Sequence, residues 1–298
     1  MTEFNPLSQF YRQPAIAITL PSQGRWYSPG SIEIPPTGEI GIMPMTVADE
    51  LVLKTPDALL NGEATVKLIQ SCVPAIKNAW EVPAIDLDMI LVAIRIATRG
   101  HEMETTITCP CERKNVETYK VDLRNFIDHY RNLTWNEDLT LSNGLKVCIK
   151  PINYQVQIQN FIKSWEQERI FRALDNPTLT DAQKMEIGKN SLEAMKKIQR
   201  NILVNSISSI TLPTQELIDR RDWIESFIDN TEAKYVHEIE AAVEKNQAAY
   251  KTPDLPIACK FVEVLPPLES GEPNPAPGYT CSTVFKTPME FDYSRFFG

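Results

Sequence analysis

Cysteine spacing carries the clearest chemical potential in this chain. Thr108-Cys109-Pro110-Cys111 is followed, after nine residues, by Val121-Asp122-Leu123 and then Phe126. Tyr279-Thr280-Cys281 is followed, again after nine residues, by Phe291-Asp292-Tyr293 and then Phe296. A cysteine at a turn leading into a short strand is the form of a metal-ribbon hairpin, where thiolates on two facing turns hold a tetrahedral zinc ion. Such a site needs four ligands, and Cys109, Cys111, Cys259 and Cys281 make a conceivable set. Against it, Cys-x-Cys is a residue shorter than a Cys-x-x-Cys pair, and Val284 stands where a partner for Cys281 would fall. The simpler reading is a recognition scaffold that has lost its metal, its thiols buried as small apolar residues, so no cofactor is expected. A redox role for Cys109 and Cys111 would need a helix N-terminus or a cationic cluster to lower a thiol pKa, and neither is evident.

Catalytic groupings are poorly represented. The three histidines are His101, just after the Gly100 helix stop, His129 in an expected loop, and His237 on a charged helix face. None has a serine or cysteine motif beside it, and no Gly-x-Ser-x-Gly or P-loop occurs. The carboxylate pairs Asp86/Asp88 and Glu166/Glu168 are two residues apart, do not share a helix face, and read as solvated surface charge. The formal net charge of −9 argues against phosphate-backbone binding, which requires a basic footprint. At 298 residues, 43% hydrophobic and 23% charged, the composition is that of an ordinary globular protein. No run of about 18 apolar residues is present to span a bilayer. The opening MTEFNPLSQFYRQP lacks a basic-then-apolar signal pattern. Six cysteines in a chain this long do not make a disulfide framework.

The elements that must position these groups fall into three stretches. Residues 1–45 carry short strand-like runs, Ala15 to Leu20, Ser31 to Ile34 and Gly41 to Met45, punctuated by Pro and Gly. Thr46 and Asp49 form a capping box for a helix over 47–54, and a second helix fits 62–72. Asp86 is the expected cap of a buried core helix over 87–98 that Gly100 ends. Residues 102–123 read as a hairpin with Cys109 to Asn115 at its tip, and 139–150 as another hairpin turning at Asn143-Gly144.

Beyond 155 glycine nearly disappears and the apolar spacing becomes helical, giving expected helices at 155–174, 180–207, 214–229 from Thr214, and 231–250 from Thr231. A strand over 257–264 and a Pro-rich loop lead into the second cysteine segment. The fold expected is α+β. A mixed β/α domain forms from 1–155 and 251–298, carrying two degenerate cysteine-knuckle hairpins, and brackets an inserted α-helical domain at 156–250. The helices at 180–250 offer a partner-binding face through Ile198, Ile202, Leu203, Trp223, Phe227 and Ile228. The tail aromatics Phe291, Phe296 and Phe297 pack either into their own domain or into a partner, since termini fray unless docked.

Taken in order, four stretches carry a likeness: Leu20-Pro21-Ser22-Gln23-Gly24-Arg25-Trp26-Tyr27; Pro44-Met45-Thr46 with Asp49-Glu50; Ile94 to Gly100; and Cys109-Pro110-Cys111 with Val121-Asp122-Leu123. Together they resemble the baseplate hub subunit and baseplate assembly family of T-even-type contractile-tailed bacteriophages. The segment from Cys281 to Phe297 is similar to a second knuckle closing such chains, so the likeness covers about 1–155 and 257–298. The family's knuckles read Cys-Pro-x-Cys, from which this chain departs at both copies. The resemblance implies a structural or assembly component of a contractile-tail baseplate, associated with the hub and acting by docking. Its implied partners are other baseplate and tail hub proteins and the tape-measure protein, with no nucleic acid and no membrane. Its implied place is the virion's tail baseplate, with assembly in the host cytoplasm. The alternative is a tail-assembly chaperone absent from the mature virion. A third reading is a zinc-ribbon adaptor or a metal-dependent enzyme.

Overall fold

A computed structural model describes residues 5–55, 61–111, 114–173, 180–262 and 278–287. Strands β1 (Ile16–Ile18) and β2 (Ile40–Ile42) form an antiparallel pair at the start of the chain. Helix α1 (Val47–Leu53) opens on the expected capping box, Thr46 accepting from the Asp49 amide and Asp49 accepting from the Thr46 amide. Helix α2 (Glu63–Cys72) and the long helix α3 (Ala84–Arg99) follow, α3 ending where Gly100 turns into positive φ. Strands β3 (Glu102–Thr108) and β4 (Val116–Asp122) make the expected hairpin, and α4 (Arg124–Arg131) returns across its base.

The first hydrophobic core is built on α3, whose side chains from Ile85 to Ile94 pack against β1, β2, α2 and α4. Leu20, Ile69, Met89, Ile90, Leu123 and Phe126 are among its fully enclosed members. The width of the apolar surface on α3 in the sequence is explained by this near-complete enclosure. His129, expected in a loop, lies within α4, because Phe126, Ile127 and Tyr130 give that short segment an inward face.

Asp86 is not the cap of α3. The helix begins at Ala84 after Pro83, and the Ala84 amide donates to the Ile152 carbonyl where the chain passes alongside. Asp86 sits inside the first turn and is fully buried, so the reading of Asp86 as solvated surface charge is corrected. Its carboxylate holds the loop at residues 20–27. The Ser22 amide donates to Oδ1 at 2.8 Å, and the Ser22 and Tyr27 hydroxyls donate to Oδ2 at 2.5 and 3.0 Å. Gly24 in that loop has φ +80°, and a Cβ there would meet Ile34 Cδ1 at 2.2 Å, so a larger residue would strain the backbone and displace the Ile34 side chain.

The second half is built on a four-stranded antiparallel sheet in the order β5-β6-β7-β8. Strands β5 (Asp138–Thr140) and β6 (Lys146–Ile149) are the Asn143-Gly144 hairpin, with Gly144 at φ +86°. Helices α5 (Tyr154–Ala173) and α6 (Asp181–Asn205) form an antiparallel hairpin. Strands β7 (Ile207–Thr211) and β8 (Leu217–Ile218) then complete the sheet, β7 pairing with β6. This replaces the helix expected from Thr214. Gln215 takes positive φ in a tight turn between the two strands, and α7 (Arg221–Asn230) starts only afterwards. Helix α8 (Ala233–Ala249) leads to β9 (Leu255–Ala258), which pairs with β10 (Val284–Thr287). Strand pairing therefore links 146–149 to 207–211 across position 155, and one core joins Leu141, Val147 and Ile149 to Leu203, Ile224, Ile239 and Val243. Helix and strand are mixed throughout, as expected for an α+β fold.

Candidate functional site

The tip of the β3–β4 hairpin is a tight turn in which the Cys109 amide donates to the Asn115 carbonyl and the Lys114 amide to the Cys111 carbonyl. Pro110 keeps Cys109 out of the helical region, and Asn115 Nδ2 lies 3.7 Å from Cys111 Sγ. The β9–β10 pairing continues past its named strands: the Cys259 amide donates to the Thr283 carbonyl, and the Cys281 amide to the Phe261 carbonyl. These bonds place Cys259 and Cys281 on facing strands, 22 positions apart in sequence but side by side in space.

The two hairpins meet at their sulfurs. The Sγ atoms of Cys109, Cys259 and Cys281 all lie within 4.8 Å of one another, and Cys109 to Cys281 is 3.9 Å. Cys111, half-buried, packs against this group with Phe261 and Phe285. The first three are buried and all four are free thiols. The Thr283 hydroxyl, 3.3 Å from Cys281 Sγ, and the Thr283 amide hold the Cys281 thiol down to about 6. Desolvation pushes its neighbour Cys109 the other way. Cys109 to Cys281 is too long for a disulfide, which needs about 2.0 Å between sulfurs. Convergent thiols, one of them favoured as thiolate, can hold a soft metal ion. Segments 172 residues apart thus touch at one point, and the four cysteines singled out from the sequence lie together there.

The residues expected to bind partners divide differently. Trp223 is 50% exposed on α7 with the Arg220 guanidinium 4.6 Å over its ring. Phe227 is half-buried against the second core. Ile198, Leu203 and Ile228, expected on an outward face with them, are turned inward and buried. Phe291, Phe296 and Phe297 lie outside the described residues.

Sequence reasoning passed over the surface that the α5–α6 hairpin presents. Polar pairs bond across its seam: Asn201 Nδ2 donates to Asn160 Oδ1 at 3.0 Å, and the Ser191 hydroxyl to Gln167 Oε1 at 2.8 Å, with Asn160 and Ser191 buried. Its outer side carries large apolar side chains among charged ones. Phe161 and Trp165, one turn apart on α5, are 54% and 43% exposed, and Met185 and Leu192, two turns apart on α6, are 77% and 58% exposed. The available signal was the distribution of large apolar residues around all sides of α5, with polar residues at the positions where α6 should pack.

None of the described helices is long and apolar enough to cross a membrane. Searches of curated proteins and of solved structures returned no match. A family model described as T4 bacteriophage base plate protein matches residues 14–264, a span that takes in the Asp86-anchored loop, both cores and Cys109, Cys111 and Cys259, and the chain belongs to this family.

Proposed function

We propose that this phage baseplate component is a hub-associated subunit that works by docking to other baseplate and tail hub proteins, with no reaction of its own. The observation that carries the reading is the set of large apolar side chains left exposed along the α5–α6 hairpin. A helical hairpin that served only its own fold would place Phe161, Trp165, Met185 and Leu192 in the seam, where each large side chain stabilises by about 1.5–3 kcal/mol on full burial. Here asparagine, serine and glutamine bond across the seam, and these four apolar side chains are exposed. Phe161 and Trp165, one turn apart on α5, put two large aromatic side chains side by side at the surface, the kind of exposed apolar patch that marks an interaction site. Trp223 under Arg220 adds another aromatic of the kind that anchors protein interfaces. The tape-measure protein is a further candidate partner on the same surface.

Removing 157–250 altogether is a poor test, because Ile158 and Tyr250 pack on the first core and β7 completes the sheet. Replacing Phe161, Trp165 and Leu192 together by serine leaves both cores untouched. The expected result is a folded protein that no longer co-purifies with hub intermediates and fails to complement a deletion in infected cells. Normal incorporation of the triple variant would overturn the reading. Mass spectrometry of purified virions decides between a resident subunit, whose peptides are present, and a tail-assembly chaperone, whose peptides are not.

A further inference from the structure

The contact between the two hairpins has an unusual composition. Apart from the two large cores, the described residues contain one further buried cluster, and its buried members are three cysteines. Among the described residues Phe261 and Phe285 add large, partly covered side chains to it, and Tyr119 and Tyr279 reach its sulfurs. Three small side chains bury too little apolar surface to fix one hairpin on another, yet backbone hydrogen bonds register each of these cysteines into its own turn or strand.

The sulfur geometry has a direct explanation. Zinc–thiolate bonds of about 2.3 Å in a tetrahedron put neighbouring sulfurs about 3.8 Å apart. Cys109 and Cys281 are 3.9 Å apart, and Cys259 is within 4.8 Å of both. An iron–sulfur cluster interposes several metal and sulfide ions between its thiolates and would need a wider opening. The ligands also come from two hairpins rather than one, which is how structural zinc joins short segments lacking a core between them.

We propose that Cys109, Cys259 and Cys281, with Cys111 as the fourth thiolate, bind a single structural zinc ion that clamps the β9–β10 hairpin onto the tip of β3–β4. Cys-x-Cys spacing leaves Cys111 at the edge of the group, beside Asn115, so it closes the coordination sphere last. Cys72, bonded to Arg12 in the first core, and Cys148, on β6, belong to other surroundings and take no part.

Elemental analysis of the purified full-length chain tests this. One zinc per chain is expected, released when an organomercurial titrates the thiols. Cys259→Ser and Cys281→Ser are each expected to lose the bound zinc entirely, while Cys148→Ser keeps it. Cobalt substituted for zinc should give the intense visible bands of a tetrahedral four-thiolate site, shifted in Cys111→Ser to those of a three-thiolate site. Should either of the first two variants fail to fold, mercurial release from the native chain still reads the stoichiometry. Metal-free protein that binds no added zinc overturns the proposal, as does zinc retained in Cys259→Ser and Cys281→Ser. Cobalt bands unchanged in Cys111→Ser overturn the assignment of the fourth ligand.

Discussion

At the scale of single residues, Asp86 shows how a surface-looking charge becomes a fold determinant. Burial pushes its carboxyl up to about 6, against the hydrogen bonds from Ser22 and Tyr27 that favour the ionised form. The folded-state value lies above the unfolded value near 4, so the native state keeps its proton to higher pH. Stability from this group is therefore complete below about pH 4 and is lost as pH rises through about 6, a change of up to about 3 kcal/mol. Asp86→Asn keeps the size but sets an amide NH2, which only donates, in place of an acid hydroxyl that both donates and accepts among the Ser22 and Tyr27 hydroxyls, and should cost about 1–3 kcal/mol at acidic pH. Because the variant has no charge to bury, its deficit relative to the native protein should shrink between pH 4.5 and pH 7 in urea titrations. A pH-independent deficit would show that Asp86 stays ionised throughout. Gly24→Ala strains the same loop through positive φ and the contact with Ile34, and should lower the melting temperature without altering that pH dependence. Arg12 provides a comparable tie, donating to Asp49, Pro44 and Ser71 and so fastening the N-terminal segment to α1 and α2. Burial alone would raise the Asp49 carboxyl, but its bonds to Thr46 and Ser71 and the Arg12 charge hold it below the usual range.

At the scale of elements, the α5–α6 hairpin gives up stability for a defined register. Asn160 and Asn201 bond across the seam, and Asn205 in turn donates to Asn201, so sliding the helices by a turn would strand these amides. Asn160→Ala should destabilise the hairpin by about 1–2 kcal/mol by leaving Asn201 without its acceptor. Leucine at both 160 and 201 should instead raise the unfolding temperature, because apolar packing replaces a desolvated amide pair. A lower melting temperature for the double variant, read by circular dichroism, would count against that account. What the sequence revealed about elements follows the range of the forces involved. The Thr46 capping box, the Asn143-Gly144 hairpin and the Gly100 stop are local chemistry, and each was legible. Strands β7 and β8 were not. Thr214 has the look of a helix cap, and two- to five-residue strands draw their stability from pairing with β6 rather than from their own propensity. The cysteines occupy a middle position. Their types and spacing showed which atoms could bind a metal, but the approach of Cys259 to Cys281 depends on hairpin register, and that of Cys109 on a contact spanning 172 residues.

At the scale of the whole molecule, the two halves meet at several points: Tyr154 stacks on Trp80, the Tyr154 and Ala84 amides donate to the Val82 and Ile152 carbonyls, and residues 135–136 form a further tie. Trp135 lies in the first core, its ring 6.3 Å from Trp26 and 6.0 Å from Tyr250, while its indole N–H donates to the Ile149 carbonyl at the edge of the second. The next residue is tied to α8: the Asn136 amide donates to Asn246 Oδ1 at 3.1 Å, and Asn246 Nδ2 donates to the Asn136 carbonyl at 2.8 Å. One buried side chain thus satisfies both backbone groups of the connecting segment, as a neighbouring strand would. For a subunit that presents the α5–α6 hairpin from one half and the cysteine cluster from the other, this joint is one of the contacts that set how rigidly the two surfaces are related. Asn246→Ala removes both bonds, and because Asn136 is exposed its backbone groups turn to water, at a cost of about 0.5–1.5 kcal/mol for each bond lost. The loss falls on the coupling rather than on either core. In denaturant-dependent hydrogen exchange, peptides from α3 and from β7 should open together in the native protein, as in one cooperative unit. In the variant the β7 peptides should open at lower denaturant, with α3 little changed. If the two still open together, the remaining contacts carry the coupling, the Trp26–Trp135–Tyr250 and Trp80–Tyr154 stacks among them, and Trp135→Leu should then weaken it.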